Sequence, residues 1–375
     1  MQIKKILKLD FDHHRIFGLD LLRALAILIV LLVHSSTLVP SYISNFYHYI
    51  NIDGVCIFFV LSGFLIGNVL IKTAEKFGFN YKELVNFWVR RWARTLPNFY
   101  LFLVLLTILN YFFTKGFPLK VVPQYLIFSQ NLVKGSPGFF GEAWSLSVEE
   151  WFYIIIPICL FLIIKLLKTS VKTSILIISV TIILFSILLR IILNSNPILL
   201  EMGDYDRIVI MRMDSIMYGV FGAYISFYFQ NIWKKYKKIA FVLGLLITII
   251  IKLISLKFVY TERWFFTNYF YPILCIGILL LLPLLSEYKI KKHTHFTKII
   301  TTISLISYSL YLSHNSLIRK MFLENIFQNF FESNELVIVL LKNIIYWGGS
   351  IFLSILIYKY YESPLMKLRD KIKFK

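Results

Sequence analysis

Long apolar runs separated by short polar segments recur from one end of the chain to the other. A run of about 18 residues or more can cross the ~30 Å hydrocarbon core of a bilayer as a helix. We therefore predict an all-α polytopic membrane bundle of about ten spans, at residues 19–39, 52–71, 97–113, 144–164, 174–193, 207–229, 238–256, 264–286, 299–318 and 336–358. Segment 120–131 is too short and too interrupted to cross, so we expect it to be re-entrant or interfacial.

The Lys and Arg residues are divided unequally between the two sides of the predicted bundle. Of the 40, 27 fall in connecting segments on one side and 10 on the other, while Arg23, Arg212 and Lys342 lie inside spans. Positive residues accumulate on the cytoplasmic side of membrane proteins, so we expect both termini in the cytoplasm. The net charge of +20 is then explained by the orientation of the protein in the membrane. The charge therefore gives no reason to expect nucleic-acid binding.

Composition supports a membrane protein without a second domain. A hydrophobic content of 58% excludes an ordinary soluble globular protein. The first apolar run is too long for a signal peptide and no small-residue cleavage motif follows it, so we expect Met1 to be retained. No repeat or linker interrupts residues 1–375, which we interpret as one membrane domain. The three cysteines lie in apolar runs, which argues against disulfides and against a metal site.

The first predicted span carries two ionisable residues on one face. Arg23 and His34 are eleven residues apart, which is three helical turns and roughly 16 Å. Every residue between them is apolar. Ionisable side chains at such depth are costly in lipid and usually face the protein interior. We expect Arg23 to reach the cytoplasmic headgroups and His34 to lie in the outer half of the membrane.

Four titratable residues on four predicted spans reach a similar depth. His34 and His314 lie in spans that start inside, and Glu149 and Asp214 lie in spans that start outside. A histidine beside a carboxylate can act as a general base towards a hydroxyl group. These four residues are therefore our catalytic candidates. The alternative is that they pair only to hold the bundle together, and Asp214 also shares a helical face with Arg207.

Three arginines form a cluster immediately before the third span. If this segment is helical, Arg90, Arg91 and Arg94 share a broad face, and Pro97 suits the first turn of the span that follows. Guanidinium groups bind phosphates through paired hydrogen bonds. Anchoring to anionic lipid is the alternative. The chain otherwise prefers Lys to Arg, which favours a specific phosphate ligand.

Small residues mark the second span. Ser62, Gly63 and Gly67 include a small-xxx-small pair that allows a ligand or another backbone to approach closely. Helix packing is the default interpretation, and contact of Ser62 and Gly63 with a cofactor is the functional one.

Seven motifs in order resemble acyltransferase family 3, a family of integral membrane O-acyltransferases. They are Arg23 and His34 of the first span, GVCIFFVLSGFLIG (54–67), FWVRRWARTLPNFY (87–100), WSLSVEEWFY (144–153), RMDSIMYGVFGA (212–223), ISYSLYLSH (306–314) and YYESP (360–364). The chain departs from the family pattern at Cys56, where many members have an acidic residue, and at Ser313 and Ser363.

The resemblance implies transfer of an acyl group, usually acetyl, from coenzyme A to a hydroxyl group of an extracytoplasmic glycan or lipid-linked sugar. Our hypothesis is that His34 is the base, oriented by Glu149, Asp214 or His314, and that Arg90, Arg91 and Arg94 bind the nucleotide end of the donor, with Arg23 deeper along the same path. Direct transfer and a covalent acyl-histidine remain open, as do the acceptor, the acyl length and an oligomeric state. A transporter of a lipid-linked sugar or small anion is the rival from another class, although paired broken half-helices are absent from the sequence.

Overall fold

The computed structural model describes residues 15–133, 135–194, 205–258, 263–290, 294–330 and 336–371. Every regular element in these residues is helical, as predicted. The α-helices of five residues or more are α1 (Phe17–His34), α2 (Ser41–Ile50), α3 (Gly54–Phe77), α4 (Tyr81–Phe113), α5 (Val122–Leu126), α6 (Ala143–Leu166), α7 (Val171–Asn194), α8 (Val209–Tyr228), α9 (Gln230–Lys235), α10 (Lys237–Phe258), α11 (Tyr271–Leu285), α12 (His295–Ser313), α13 (Leu336–Ile344), α14 (Ser350–Ile357) and α15 (Ser363–Lys371). Wider π-helical turns adjoin α11 to α15, at Phe266–Phe270, His314–Ile326, Ile345–Gly349 and Tyr358–Glu362.

Eight helical stretches within the described residues are long and apolar enough to cross a membrane. The prediction of about ten spans is therefore not confirmed. The two remaining predicted spans, 207–229 and 299–318, do form helices, α8 and α12 with the turns after it. Polar residues lower the mean hydropathy of these two helices, so they are not counted among the eight stretches. In α8, 14 of the 20 residues are buried, so its polar side chains contact protein.

Helices α3 and α8 pack backbone against backbone. A Cβ atom on Gly67 would lie 2.9 Å from Cβ of Ala223 and 3.0 Å from Cα of Val220, and one on Gly63 would overlap the carbonyl group of Ile216. The pair of glycines therefore serves helix packing. The close approach that the missing side chain of Gly63 permits is to another helix, and its contact with a cofactor stays a prediction.

Helix α4 continues through Pro97, which is not at the first turn of a span as the sequence predicted. Hydroxyl groups from neighbouring segments bond to carbonyl groups beside the proline: Tyr361 donates to the Pro97 carbonyl at 3.3 Å, and Tyr308 donates to the Thr95 carbonyl at 2.7 Å. The arginine cluster and the apolar half of α4 thus belong to one 33-residue helix.

Segment 120–131 contains only a 3₁₀ turn and the five-residue α5, which is too short to cross a membrane, as predicted. The orientation of the termini remains a prediction. Several of the charged segments on which it depends, including residues 1–14, 195–204 and 291–293, lie outside the described residues, as does Met1.

Candidate active site

Two imidazole rings from different helices meet at one end of the bundle. His34 is the last residue of α1, and His314 directly follows α12. Nδ1 of His34 lies 2.9 Å from Nε2 of His314, and the ring centroids are 5.0 Å apart. His314 is fully buried, whereas His34 is half-buried. The structure thus brings together two of the four catalytic candidates.

Backbone carbonyl groups set the direction of this hydrogen bond. Nδ1 of His314 lies 2.7 Å from the Tyr311 carbonyl oxygen and 3.0 Å from that of Leu310, so Nδ1 carries a proton. In a neutral pair, Nε2 of His314 then accepts the Nδ1–H of His34, which leaves the lone pair of His34 on Nε2. That nitrogen can take a proton from a hydroxyl group.

The two carboxylate candidates lie elsewhere. Asp214 forms an ion pair with Arg190 of α7, and both side chains are at most 2% exposed. Glu149 accepts a hydrogen bond from Tyr153 at 2.9 Å and lies 3.9 Å from Nη2 of Arg91. Asp214 therefore faces α7 and Glu149 faces α4. This corrects the expectation of a histidine beside a carboxylate, because a second imidazole takes that position.

His34 lines a cavity of about 490 Å³, which we name the His34 cavity. Its walls combine aromatic, acidic and basic side chains, among them Trp144, Tyr271, Asp53, Glu142, Asp206, Arg207, Lys252, Arg319 and Lys320. A concave surface with both aromatic and convergent polar groups suits a polar ligand.

A second cavity of about 330 Å³, the Arg91 cavity, contains most of the predicted donor-binding residues. Arg23, Arg91, Arg94 and Ser62 line it, and its remaining wall is largely apolar, with Phe58, Phe59, Leu61, Leu65 and Ile66. Arg90 is exposed and does not line the cavity. Its position one residue before Arg91 turns it about 100° around the helix.

The guanidinium group of Arg91 is held in place by a small polar network. It donates from Nη2 to the Tyr153 hydroxyl and to Oγ of Ser62, the latter at 3.4 Å, and it lies 4.2 Å from the centroid of the Tyr153 ring. Its buried Nε has no hydrogen-bond partner among the described residues. The network therefore fixes the orientation of the Arg91 guanidinium group and leaves its Nε–H available to a ligand. Tyr153 was not among the predicted site residues, and its only signal in the sequence was its position four residues after Glu149 in the WSLSVEEWFY motif.

The two cavities share two wall residues, Val55 and Tyr311. The hydroxyl of Tyr311 lies 2.7 Å from Oγ of Ser145 and 3.2 Å from the carbonyl oxygen of Glu142. Its ring centroid lies 5.8 Å from that of His314. This shared wall, which we call the junction of the cavities, therefore lies beside the imidazole pair. Tyr311 was missed by the sequence analysis, and its only signal was its place in the ISYSLYLSH motif.

Glu142 fixes the backbone that follows His314. Its carboxylate accepts hydrogen bonds from the backbone N–H groups of Asn315, at 3.1 Å, and Ser316, at 2.6 Å, and from the Ser316 hydroxyl. Burial raises the pKa of the Glu142 carboxyl, although the bonds from Ser316 oppose that shift. Among the described residues, no group of three or more His, Cys, Asp or Glu side chains is arranged to hold a metal ion.

Comparison with known proteins gives a family match and several relatives. The profile described as "Acyltransferase domain" matches residues 16–359. A peptidoglycan O-acetyltransferase of Listeria monocytogenes is 32% identical over 166 residues, which are 40% of this chain and 25% of the relative. A Staphylococcus aureus protein provisionally named an O-acetyltransferase is 26% identical over 325 residues, 80% of this chain and 50% of the relative. The chain thus spans a quarter to a half of the length of these relatives. No solved structure matches at a significant level.

Proposed function

Because the chain belongs to the acyltransferase domain family, acyltransferase family 3, we propose that it is an integral membrane O-acetyltransferase that moves an acetyl group from acetyl-CoA to a hydroxyl group of a cell-surface glycan. The observation that carries this proposal is the junction of two unlike cavities at Tyr311, beside the His34–His314 pair. One cavity offers guanidinium groups and an apolar wall, and the other offers an imidazole base among polar side chains.

The Arg91 cavity binds the donor in this proposal. Arg23, Arg91 and Arg94 offer forked N–H groups to the phosphates of coenzyme A, and the apolar wall receives the pantetheine arm. Arg90 is exposed and lies outside the wall of this cavity, so we assign it a smaller part in donor binding. The distribution of Lys and Arg supports placing the Arg91 cavity at the cytoplasmic face of the cell membrane, with both termini on that side.

The His34 cavity binds the acceptor. Nε2 of His34 removes the proton from the acceptor hydroxyl, whose oxygen attacks the thioester carbonyl at the junction. A new C–O bond forms, the C–S bond breaks, and the coenzyme A thiolate takes the proton from His34. His314 holds His34 in the required tautomer through their hydrogen bond. The named activity of the Listeria monocytogenes relative supports peptidoglycan, or a lipid-linked precursor, as the acceptor.

Acetyl transfer by the purified chain in lipid nanodiscs tests the proposal. We expect release of coenzyme A from acetyl-CoA when glycan fragments are added, with acetylated sugar detected by mass spectrometry. His34→Ala should abolish transfer while leaving acetyl-CoA binding intact. His48→Ala, at an exposed histidine of α2, is the matched control and should be fully active.

Two results would overturn this function. Transfer at the wild-type rate by a folded His34→Ala variant would remove the proposed base. Failure of the wild type to bind or turn over acetyl-CoA, together with movement of a sugar-linked lipid across proteoliposomes, would favour the transporter. Acetylated His34 trapped from labelled acetyl-CoA without acceptor would replace direct transfer by a covalent intermediate.

A further inference from the structure

Lys252 occupies an unusual position in the membrane helix α10. The buried residues of this helix are Gly244, Thr248 and Ile251, and Lys252 follows Thr248 by four residues on the same side. The opposite side exposes apolar residues, including Leu246, Ile249, Ile250 and Leu253. The half-buried lysine therefore faces protein, and it lines the His34 cavity.

No hydrogen bond or ion pair joins the ammonium group of Lys252 to another of the described residues, whereas its backbone carbonyl accepts the Ser255 hydroxyl at 2.7 Å. An ionisable group at membrane depth usually pairs with a counter-charge. Two acidic side chains of the same cavity already accept protein donors. Asp53 accepts two N–H groups at the start of α3, at 2.8 and 3.0 Å, and Asp206 accepts the hydroxyl of Tyr271 at 3.1 Å. The ammonium group of Lys252 thus faces a cavity whose wall carries four basic side chains against three acidic ones.

A second lysine lines the same cavity from a different segment. Lys320 belongs to the π-helical turns after α12, and within the described part of the chain its Nζ has a single hydrogen-bond contact, a long one of 3.5 Å with the carbonyl of Gly138. The neighbouring Arg319 differs, because it pairs with Glu324 at 2.8 Å. Lys252 and Lys320 are therefore two lightly engaged ammonium groups in the wall that also carries His34.

We propose that the acceptor carries an anionic group, a carboxylate or a phosphate, that binds Lys252 and Lys320 while a neighbouring hydroxyl group reaches His34. This inference rests on the proposed function, since it takes the His34 cavity as the acceptor site. An anionic lipid headgroup would offer the same chemistry, so the experiment must separate the two sources.

Equilibrium binding in the absence of acetyl-CoA tests the inference without catalysis. The full chain is placed in nanodiscs of neutral phosphatidylcholine, and three probes are titrated: N-acetylmuramic acid, N-acetylglucosamine 1-phosphate and the uncharged N-acetylglucosamine. N-acetylmuramic acid differs from N-acetylglucosamine only by a lactyl group, which carries a carboxylate. Since hydrogen bonds to charged groups are stronger than those between neutral groups, we expect at least one anionic sugar to bind roughly tenfold or more tightly than the neutral one.

Variants that remove one positive charge then test whether the two lysines cause the preference for anionic sugars. Lys252→Gln and Lys320→Gln should each reduce the preference for the anionic sugar, and Lys252→Arg should retain most of it. Lys257→Gln is the matched control, because Lys257 lies in the same helix over the ring of Phe258 and not in the cavity wall. Thermal unfolding of each variant checks that it is folded, and the separate lysines provide independent tests.

Three outcomes would overturn the inference. They are equal binding of charged and neutral sugars, an anionic preference that survives both lysine variants, and an equal loss in Lys257→Gln. If adding phosphatidylglycerol to the nanodiscs abolishes sugar binding in a Lys252-dependent way with no anionic preference in neutral lipid, the lysines bind lipid instead. Absence of acetyl transfer with the anionic preference intact would refute the proposed function but leave the anion site standing.

Discussion

The hydroxyl group of Tyr311, in the wall that the two cavities share, lies 2.7 Å from that of Ser145 in the wall of the Arg91 cavity. Tyr311 also packs against the ring of His314, at a centroid distance of 5.8 Å. A carbonyl group entering from the Arg91 cavity and a base in the His34 cavity would meet beside these hydroxyls. Fixed donors at such a point stabilise charge that develops on a carbonyl oxygen.

Tyr311→Phe should therefore lower kcat with little change in the KM for acetyl-CoA. Loss of one donor to a developing oxyanion costs about 10²–10³ in kcat. Tyr346→Phe is the control, because Tyr346 is also buried and also loses a hydrogen bond, to the Leu31 carbonyl at 2.9 Å, but lines neither cavity. Equal losses of kcat in both variants would assign Tyr311 to packing alone.

His314→Phe should reduce kcat by roughly 10²–10⁴-fold while acetyl-CoA binding is retained, because His34 loses the group that orients its proton. Steady-state rates at several pH values, combined with donor binding by calorimetry, would measure both effects. The pH profile should also change shape, since a lone His34 titrates without its partner. A variant with wild-type kcat and an unchanged profile would show that the histidine pair is not the base.

Arg94→Ala should raise the KM for acetyl-CoA by about 10–100-fold, the range expected for lost hydrogen bonds to charged phosphates. Arg90→Ala should change it less, because Arg90 is exposed outside the Arg91 cavity. The comparison tests the structure against the sequence, which grouped Arg90 with Arg91 and Arg94. A larger effect at Arg90 would restore the original grouping.

The helical class and most spans follow from apolar run length alone, because lipid-facing helices such as α10 must be apolar around most of their surface. Helix α8 shows the limit of this signal. It is enclosed by protein, so selection for apolar residues is relaxed and Arg212 and Asp214 fit within it. Hydropathy therefore measures contact with lipid better than it measures the presence of a helix.

The candidate site was predictable only in part. Depth counting placed His34 and His314 at one level, and they do meet. Depth says nothing of rotation about each helix axis, so it could not show that Glu149 faces Arg91, at 3.9 Å, or that Asp214 faces Arg190. Tyr311 carries no such signal, because 23 tyrosines are spread along the chain and their depth alone does not separate one from another.

Substitutions at Asp214 distinguish a structural role of this residue from a catalytic one. Its ion pair with Arg190 is buried, and Arg190 also donates to the Met211 carbonyl at 2.5 Å. Removing one partner leaves an uncompensated buried charge, so Asp214→Ala should destabilise the fold by about 3–5 kcal/mol. Unfolding in mixed detergent micelles would measure this, and activity per folded molecule should stay within about twofold of the wild type.

The double variant Arg190→Met/Asp214→Leu supplies the decisive comparison. Replacing both charges by apolar side chains of similar size is often neutral or stabilising, so the double variant should recover most of the stability that Asp214→Ala loses. It should also acetylate normally, since neither residue lines the His34 cavity or the Arg91 cavity. If the double variant is stable but inactive, Asp214 contributes to the reaction, and the two-imidazole arrangement needs a carboxylate after all.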